Sequence, residues 1–140
     1  MKEFRGGCHC GNVTYTLQWP SDDEPPFRKC QCSFCTKHNP TYTAHPRAVL
    51  AVTVKDADAL TRYQFGTRTA DFCLRTHCGV MPIVTSRLDG RAAGVINANT
   101  LQDVDVPATV QTRNFDSETI EDRLGRRRQT WIPDVTIIVA

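Results

Sequence analysis

The fold of this chain is decided by a short stretch that is dense in cysteine, Cys30-Gln31-Cys32-Ser33-Phe34-Cys35. Its C-x-C-x-x-C spacing puts three thiols on one loop, where they can hold a single zinc ion and leave the fourth tetrahedral position open. Open coordination is typical of a catalytic or ligand-accepting zinc, whereas closed four-ligand sites are structural. Cys30, Cys32 and Cys35 are therefore the candidate catalytic residues and the ligands of a zinc that can be labile.

The charge of such a site indicates its chemistry. Three thiolates outweigh the charge of Zn²⁺, so the ion is a poor generator of hydroxide and is better suited to capture a soft fourth ligand, such as a substrate thiol. His38 could instead close the site as a fourth ligand. The three thiols could also be reduced loop cysteines, or a redox pair with one to spare.

Two further cysteine pairs lie outside this stretch. Cys8-His9-Cys10 is a C-x-C pair, and on an extended chain its two sulfurs share one face while His9 points away. Such a pair supplies half of a tetrahedral site. Cys73 and Cys78 are the obvious second half, with His77 as a substitute ligand. The pattern thus predicts a second, structural zinc.

Composition restricts the class of protein. The chain has 140 residues, 7 cysteines and a net charge of +2, which favours one globular domain over residues 1–140. The sequence has no apolar run of about 20 residues for a membrane span, and Met1–Gly7 has no apolar signal core. We therefore expect a cytoplasmic protein without membrane partners, where a reducing environment disfavours disulfides.

The hydrophobic pattern predicts a mostly β chain. Val13, Tyr15, Leu17 and Trp19 alternate with polar residues, as in a half-buried strand. Further strands are predicted at residues 48–54, 60–65, 81–88, 92–98, 109–115 and 135–139, with a polar loop at 20–29 and a hairpin turn at Asp89-Gly90.

A single helix is expected near the C-terminus. Ser117 can cap it, Ile120 and Leu124 lie four residues apart, and Gly125 would end it. The basic run Arg126–Arg128 after it is interpreted as a solvated loop or as a complement to the helix C-terminus. The fold class predicted is all-β, with at most one short helix.

At this point the sequence resembles a known family. The segments that carry the resemblance are Gly7–Val13, Cys30–Cys35 and Cys78-Gly79-Val80, supported by Cys35–Asn39 and Val95–Leu101. Together they resemble the glutathione-dependent formaldehyde-activating enzymes, a family that includes the centromere protein V domain. The resemblance covers roughly residues 6 to 115.

The resemblance implies a zinc-stapled, β-tent type of fold and two zinc sites. Cys8, Cys10, Cys73 and Cys78 would form the structural site, and Cys30, Cys32 and Cys35 would hold the zinc associated with catalysis. The implied activity joins glutathione to formaldehyde to give S-(hydroxymethyl)glutathione, formally a carbon–sulfur lyase acting in reverse. Glutathione or a similar thiol is the implied partner.

One departure from the family pattern concerns position 75. The family has C-x-x-C-G here, which would place a cysteine where this chain has Arg75. We expect the loop to bulge so that Cys73 still reaches the metal, with His77 as the next candidate.

Several roles stay open at this stage. His38 and Tyr42 are candidate proton donors because they lie near the triad in sequence. The alternative to an enzyme is a non-catalytic, zinc-stabilised β module that binds a protein or nucleic acid, and a redox sensor is a third option. Nucleic acid is disfavoured, since the pI is only about 8.2 and the chain shows no aromatic-interleaved basic stripe.

Overall fold

The computed structural model describes residues 1–107 and 109–139 and folds them into two β-sheets. The four-stranded sheet has the order β1-β2-β5-β11, with bounds β1 Lys2–Gly7, β2 Val13–Trp19, β5 Val49–Val54 and β11 Asp134–Val139. The seven-stranded sheet has the order β10-β3-β4-β9-β8-β7-β6, with bounds β3 Arg28–Cys30, β4 Tyr42–Thr43, β6 Leu60–Tyr63, β7 Asp71–Arg75, β8 Ile83–Leu88, β9 Arg91–Asn97 and β10 Gln111–Arg113. The α-helices of these residues are α1 Ser33–His38 and α2 Ile120–Thr130.

The main core lies between the sheets. The alternation predicted for residues 13–19 is confirmed, because every second side chain of β2 is buried. Leu17 and Trp19 from this strand, and Leu50 from β5, share one apolar cluster with Ile83 and Ile96 of the other sheet. The parallel strand β11 extends the sheet beyond β5. The β-rich fold class is confirmed.

The predicted hairpin is also confirmed. Strands β8 and β9 pair in antiparallel register through six residue pairs. Both turn residues, Asp89 and Gly90, have positive φ, at 52° and 80°. This backbone geometry fits a tight turn that follows the right-handed twist of the strands, which Asp-Gly favours.

Helix α2 differs from the prediction. Thr119 rather than Ser117 caps it, since the Thr119 hydroxyl accepts from the amide of Asp122 at 3.1 Å. Gly125 does not end the helix, which runs on through the arginines to Thr130. A glycine inside a helix costs only about 1 kcal/mol relative to alanine, which is too little by itself to end a helix.

Four strands and one helix were not predicted, namely β1, β3, β4, β7 and α1. Strand β1 is rich in charge, but it is an edge strand whose polar side chains face outward while Gly6 is buried. Strands β3 and β4 are only three and two residues long. Helix α1 has six residues, too few for a periodic pattern. Segments this short take their conformation from neighbouring strands.

Candidate functional site

The cysteine triad is positioned by the junction of β3 and α1. Cys30 ends β3, which β10 flanks in parallel register, and Gln31 donates to the carbonyl of Arg113 at 2.8 Å. Cys32 is the N-cap of α1, where its sulfur accepts from the amide of Cys35 at 3.4 Å. Cys35 itself lies in the first turn of α1 and faces the core, with 3% of its surface exposed.

The C-terminus of α1 fixes the same loop. Asn39 adopts the left-handed conformation, with φ 60°, and its amide donates to the carbonyl of Cys35 at 2.7 Å. Pro40 follows and cannot continue the helix. Lys37 and His38 occupy the last turn, where a positive charge complements the helix dipole. The helix is therefore a short, capped unit that holds two of the three sulfurs.

The three sulfurs meet as predicted from their spacing. The Sγ atoms of Cys30, Cys32 and Cys35 all lie within 4.8 Å of one another. Hydrogen bonds with Cys30 and then Cys35 lower the pKa of the Cys32 thiol, while hydrogen bonds with Cys30 and then Cys32, followed by burial, raise the pKa of Cys35. One sulfur of the triad therefore carries negative charge most readily, as a metal ligand must.

A cavity of about 480 Å³ opens directly beside the triad. All three cysteines line it, together with aromatic residues from several elements and arginines from β3 and α2. The aromatic lining consists of Tyr42, Phe65, Phe72, Phe115 and Trp131. The volume lies within the range of small-molecule sites. The triad thus faces a space that a ligand can enter.

Tyr42 and His38 take different places. The hydroxyl of Tyr42 lies 3.2 Å from the Cys35 sulfur and lines the cavity. Burial, followed by the neighbouring thiols, raises the pKa of Tyr42, so its hydroxyl keeps its proton. His38 stacks on Phe34 at 5.4 Å between ring centroids and is not brought to the triad. Of the two proposed donors, Tyr42 alone borders the cavity.

A second group of sulfurs forms where two loops meet. Cys8 and Cys10 lie in the turn between β1 and β2, not on an extended strand, and Gly11 completes this turn with φ 81°. Their sulfurs lie within 4.8 Å of Cys78, which precedes Gly79 in the turn after β7. His9 is exposed and outside this group.

The structure does not bring Cys73 to this group. Strand β7 runs regularly through Cys73, which pairs with Arg62 on one side and Ile83 on the other. The expected bulge does not form, so Cys73 stays buried in the core, 1% exposed. Position 75 is nearer the turn, and there the Nε of Arg75 donates to the Cys10 sulfur at 3.0 Å.

The side chain of Arg75 is held on three sides. Besides Cys10, its guanidinium donates to the carbonyl of Ala59 at 2.7 Å and contacts Nδ1 of His77 at 3.3 Å. A hydrogen bond from the backbone amide of Asn12 and, with a smaller effect, one from the side chain of Arg75 lower the pKa of the Cys10 thiol to about 7. His77 therefore contacts the arginine, and the sulfur group does not include it.

Comparison with known proteins decides the family. The model of the glutathione-dependent formaldehyde-activating enzyme family matches residues 3–116. This chain belongs to that family. A crystal structure of a Rhodobacter sphaeroides protein, a structural genomics target, is similar at 28% identity with a TM-score of 0.57. The similarity covers 78% of this chain and 99% of that one.

The arginines of α2 lie outside the part of the chain that the formaldehyde-activating family model matches. Of the two interpretations of Arg126–Arg128, the solvated loop is wrong, because all three residues lie in α2 and Arg127 is 6% exposed beside the cavity. The complement to the helix C-terminus is confirmed for Arg127 and Arg128, which lie in the last turn. The sequence signal was present: a helical register continued through Gly125 places Arg123 and Arg127 four residues apart on one face.

Both sulfur groups of this family member could hold a metal ion. The sulfurs of Cys8 and Cys10 lie 3.7 Å apart. A tetrahedral site with Zn–S bonds of about 2.3 Å has edges of about 3.8 Å, so the spacing fits zinc. All seven cysteines have free thiols. A thiol that loses its proton becomes the thiolate ligand that a soft metal prefers.

The helices of the described residues include none that is long and apolar enough to cross a membrane.

Proposed function

We propose that this protein is a zinc-dependent carbon–sulfur lyase-like enzyme that binds glutathione or a similar thiol and forms or breaks its S-hydroxymethyl adduct with formaldehyde. The observation that carries the proposal is the position of Cys30, Cys32 and Cys35 on the wall of a cavity of about 480 Å³. A purely structural zinc has no need of such a space. The family membership supports the same activity.

The triad would hold the catalytic zinc, and Cys8, Cys10 and Cys78 would hold the structural one. Zinc bound at the triad supplies a soft Lewis acid that favours the deprotonated form of a fourth sulfur ligand. Cys35, in the first turn of α1, and Cys32, its N-cap, would hold the ion from one short helix. The unpaired thiols fit a reducing compartment, so we place the reaction in the cytoplasm.

The reaction balances as a simple addition. The S–H bond of the thiol breaks, its proton leaves to water, and an S–C bond forms to the aldehyde carbon. The π electron pair of the carbonyl moves to oxygen, which gains one proton, so nothing is oxidised or reduced. Tyr42 is the candidate donor of a hydrogen bond at that oxygen, because its hydroxyl borders the cavity with its proton retained, and the proton that the oxygen gains comes from water.

Proximity supplies most of the rate gain in this proposal. The uncatalysed addition of a thiol to formaldehyde is already easy, so holding both reactants together is the main contribution. Phe65 and Phe72 stack at 5.0 Å and border the cavity. This apolar wall reduces the access of water to the reacting atoms.

The test replaces the most readily charged ligand, Cys32→Ser, and uses Cys73→Ser as a matched control outside both sulfur groups. We expect Cys32→Ser to lose one zinc per chain, the part of the glutathione affinity that depends on the free thiol, and any acceleration of formaldehyde exchange measured by NMR. The Cys73→Ser control keeps all three. An unchanged glutathione affinity in Cys32→Ser contradicts the proposal, as does formaldehyde exchange no faster than background in the unchanged protein.

A second measurement covers the case in which Cys32→Ser fails to fold. Cobalt(II) replaces zinc in the unchanged protein, and its visible absorption reports the ligands. Addition of glutathione is expected to shift the spectrum by adding a sulfur ligand. A spectrum that does not change on addition favours the non-catalytic zinc module instead.

A further inference from the structure

The arginines on one side of the cavity carry more positive charge than their neighbours balance. Arg28, Arg123, Arg126 and Arg127 all line the cavity, and Asp116 is the acidic residue among the lining side chains. Glu118 accepts two hydrogen bonds from Arg126, at 2.9 and 3.0 Å, and lies 3.8 Å from Arg123. One carboxylate is thus shared by two arginines.

Arg127 is the most buried of these cations. Its Nη1 donates to the carbonyl and hydroxyl of Thr69 and to the hydroxyl of Ser86, at 3.2, 2.9 and 3.1 Å. Its Nε is buried without a hydrogen-bond partner among the described residues. The guanidinium lies over the ring of Trp131 at 4.9 Å. Neutral partners alone hold it, and they do not offset a buried charge.

Arg28, on strand β3, also lines the cavity and lies close to aromatic rings. Its guanidinium lies 5.5 Å from the ring of Phe115 and 5.9 Å from that of Tyr42. In the part of the chain that the structure describes, neither Arg28 nor Arg127 forms an ion pair with a carboxylate. Burial, followed by the charges of Arg126 and Arg123, lowers the pKa of Arg127 to about 10.

Like charges that line one cavity repel, and a ligand anion would relieve that repulsion. Arginine suits a carboxylate in particular, because its planar guanidinium matches two oxygens at once. The triad sulfurs and the arginines line the same cavity, so one small molecule bound there can meet both.

We infer that Arg127 and Arg28 form a carboxylate-binding subsite in this cavity, so that the thiol it accepts is an anionic one. The inference rests on the proposed function, since it names the class of thiol that the same cavity selects. Because α2 lies beyond residues 3–116, Arg127 lies outside the part of the chain matched by the family model, whereas Arg28 lies within it.

The first test needs no variant. Calorimetry on the zinc-loaded protein compares glutathione with glutathione diethyl ester, which keeps the thiol and masks both carboxylates. We expect the ester to bind at least about tenfold more weakly, the effect of losing one charge-assisted contact. Equal affinity for the two compounds overturns the subsite while leaving thiol capture intact.

The second test uses Arg127→Gln, with Arg128→Gln as the matched control. Arg128 is the next residue of α2, but it is half exposed and pairs with Asp89 outside the cavity. Arg127→Gln is expected to weaken glutathione about tenfold and to leave the ester unchanged, while Arg128→Gln changes neither. Glutathione affinity that stays the same in a folded Arg127→Gln overturns the inference.

S-methylglutathione separates this inference from the proposed function. The compound retains both carboxylates but has no free thiol, so its binding does not depend on sulfur capture. We expect it to bind the unchanged protein and Cys32→Ser alike, and to bind Arg127→Gln about tenfold more weakly. If S-methylglutathione does not bind at all, the subsite is wrong. If it binds the unchanged protein as tightly as glutathione does, the free thiol adds no affinity and the zinc-capture proposal fails instead.

Discussion

Replacing Tyr42 with phenylalanine tests how the triad is held. The substitution removes one hydroxyl from a side chain that is 4% exposed and leaves the ring in place. That hydroxyl lies 3.2 Å from the Cys35 sulfur. Cys35 is a proposed zinc ligand, so the lost contact is a hydrogen bond to a charged sulfur in a buried setting.

The expected magnitude follows from that one contact. A hydrogen bond to a charged group contributes about 1.5–3 kcal/mol, which corresponds to about 10- to 100-fold in zinc affinity. Losses of this size are typical when a partner of a metal ligand is removed. At saturating zinc, a further loss of formaldehyde exchange would report the role of Tyr42 as a donor to the aldehyde oxygen.

The assay follows the transfer of zinc from the protein to a chromophoric chelator over time. The kinetic phase that is absent from Cys32→Ser is assigned to the zinc held by the triad. Tyr15→Phe is the matched control, because Tyr15 is also buried and hydrogen-bonds Thr100 at 2.7 Å, away from the triad. Both variants lose stability, but only Tyr42→Phe should weaken the triad phase. Zinc affinity within about twofold of the unchanged protein would refute the reasoning.

Two further predictions concern the second group of sulfurs, that of Cys8, Cys10 and Cys78. Cys73→Ala should cost about 1 kcal/mol of stability and retain two zinc ions per chain by elemental analysis, because Cys73 lies in a regular strand outside the group; loss of one ion would make Cys73 a ligand after all. Arg75→Cys puts a fourth thiol beside the Cys10 sulfur that Arg75 now contacts at 3.0 Å, so zinc should leave this group at least about tenfold more slowly in the chelator assay, and an unchanged release rate would show that position 75 cannot supply a ligand.

The strands that could be predicted were those with their own periodicity. Strand β2 alternates cleanly and the β8–β9 turn has the Asp-Gly pair that its positive φ angles require, so local chemistry alone identifies both. Strands β3 and β4 and helix α1 carry no such signal, because they are too short to repeat a recognisable pattern. Pairing with distant residues determines their structure.

The cysteine triad was determined by the sequence itself. Its three sulfurs lie within six consecutive residues, so a turn and one helical turn suffice to bring them together wherever the rest of the chain goes. The fourth residue of the other sulfur group was not determined in this way. Cys73 and Arg75 compete for a place beside a turn that is more than sixty residues distant in the chain, and strand register decides between them.

The arginine lining of the cavity depends on tertiary structure. A run of three arginines is most often solvated, and although a helical register groups Arg127 with Arg123, that register does not tell which face of the helix is buried. Helix α2 packs against the sheet so that Arg127 turns inward over Trp131 and Arg128 turns outward to Asp89. The sequence by itself determined that the sulfurs of Cys30, Cys32 and Cys35 are neighbours, since they are closely spaced; the packing of α2 decided which charges face them, since burial depends on contacts between residues far apart in the chain.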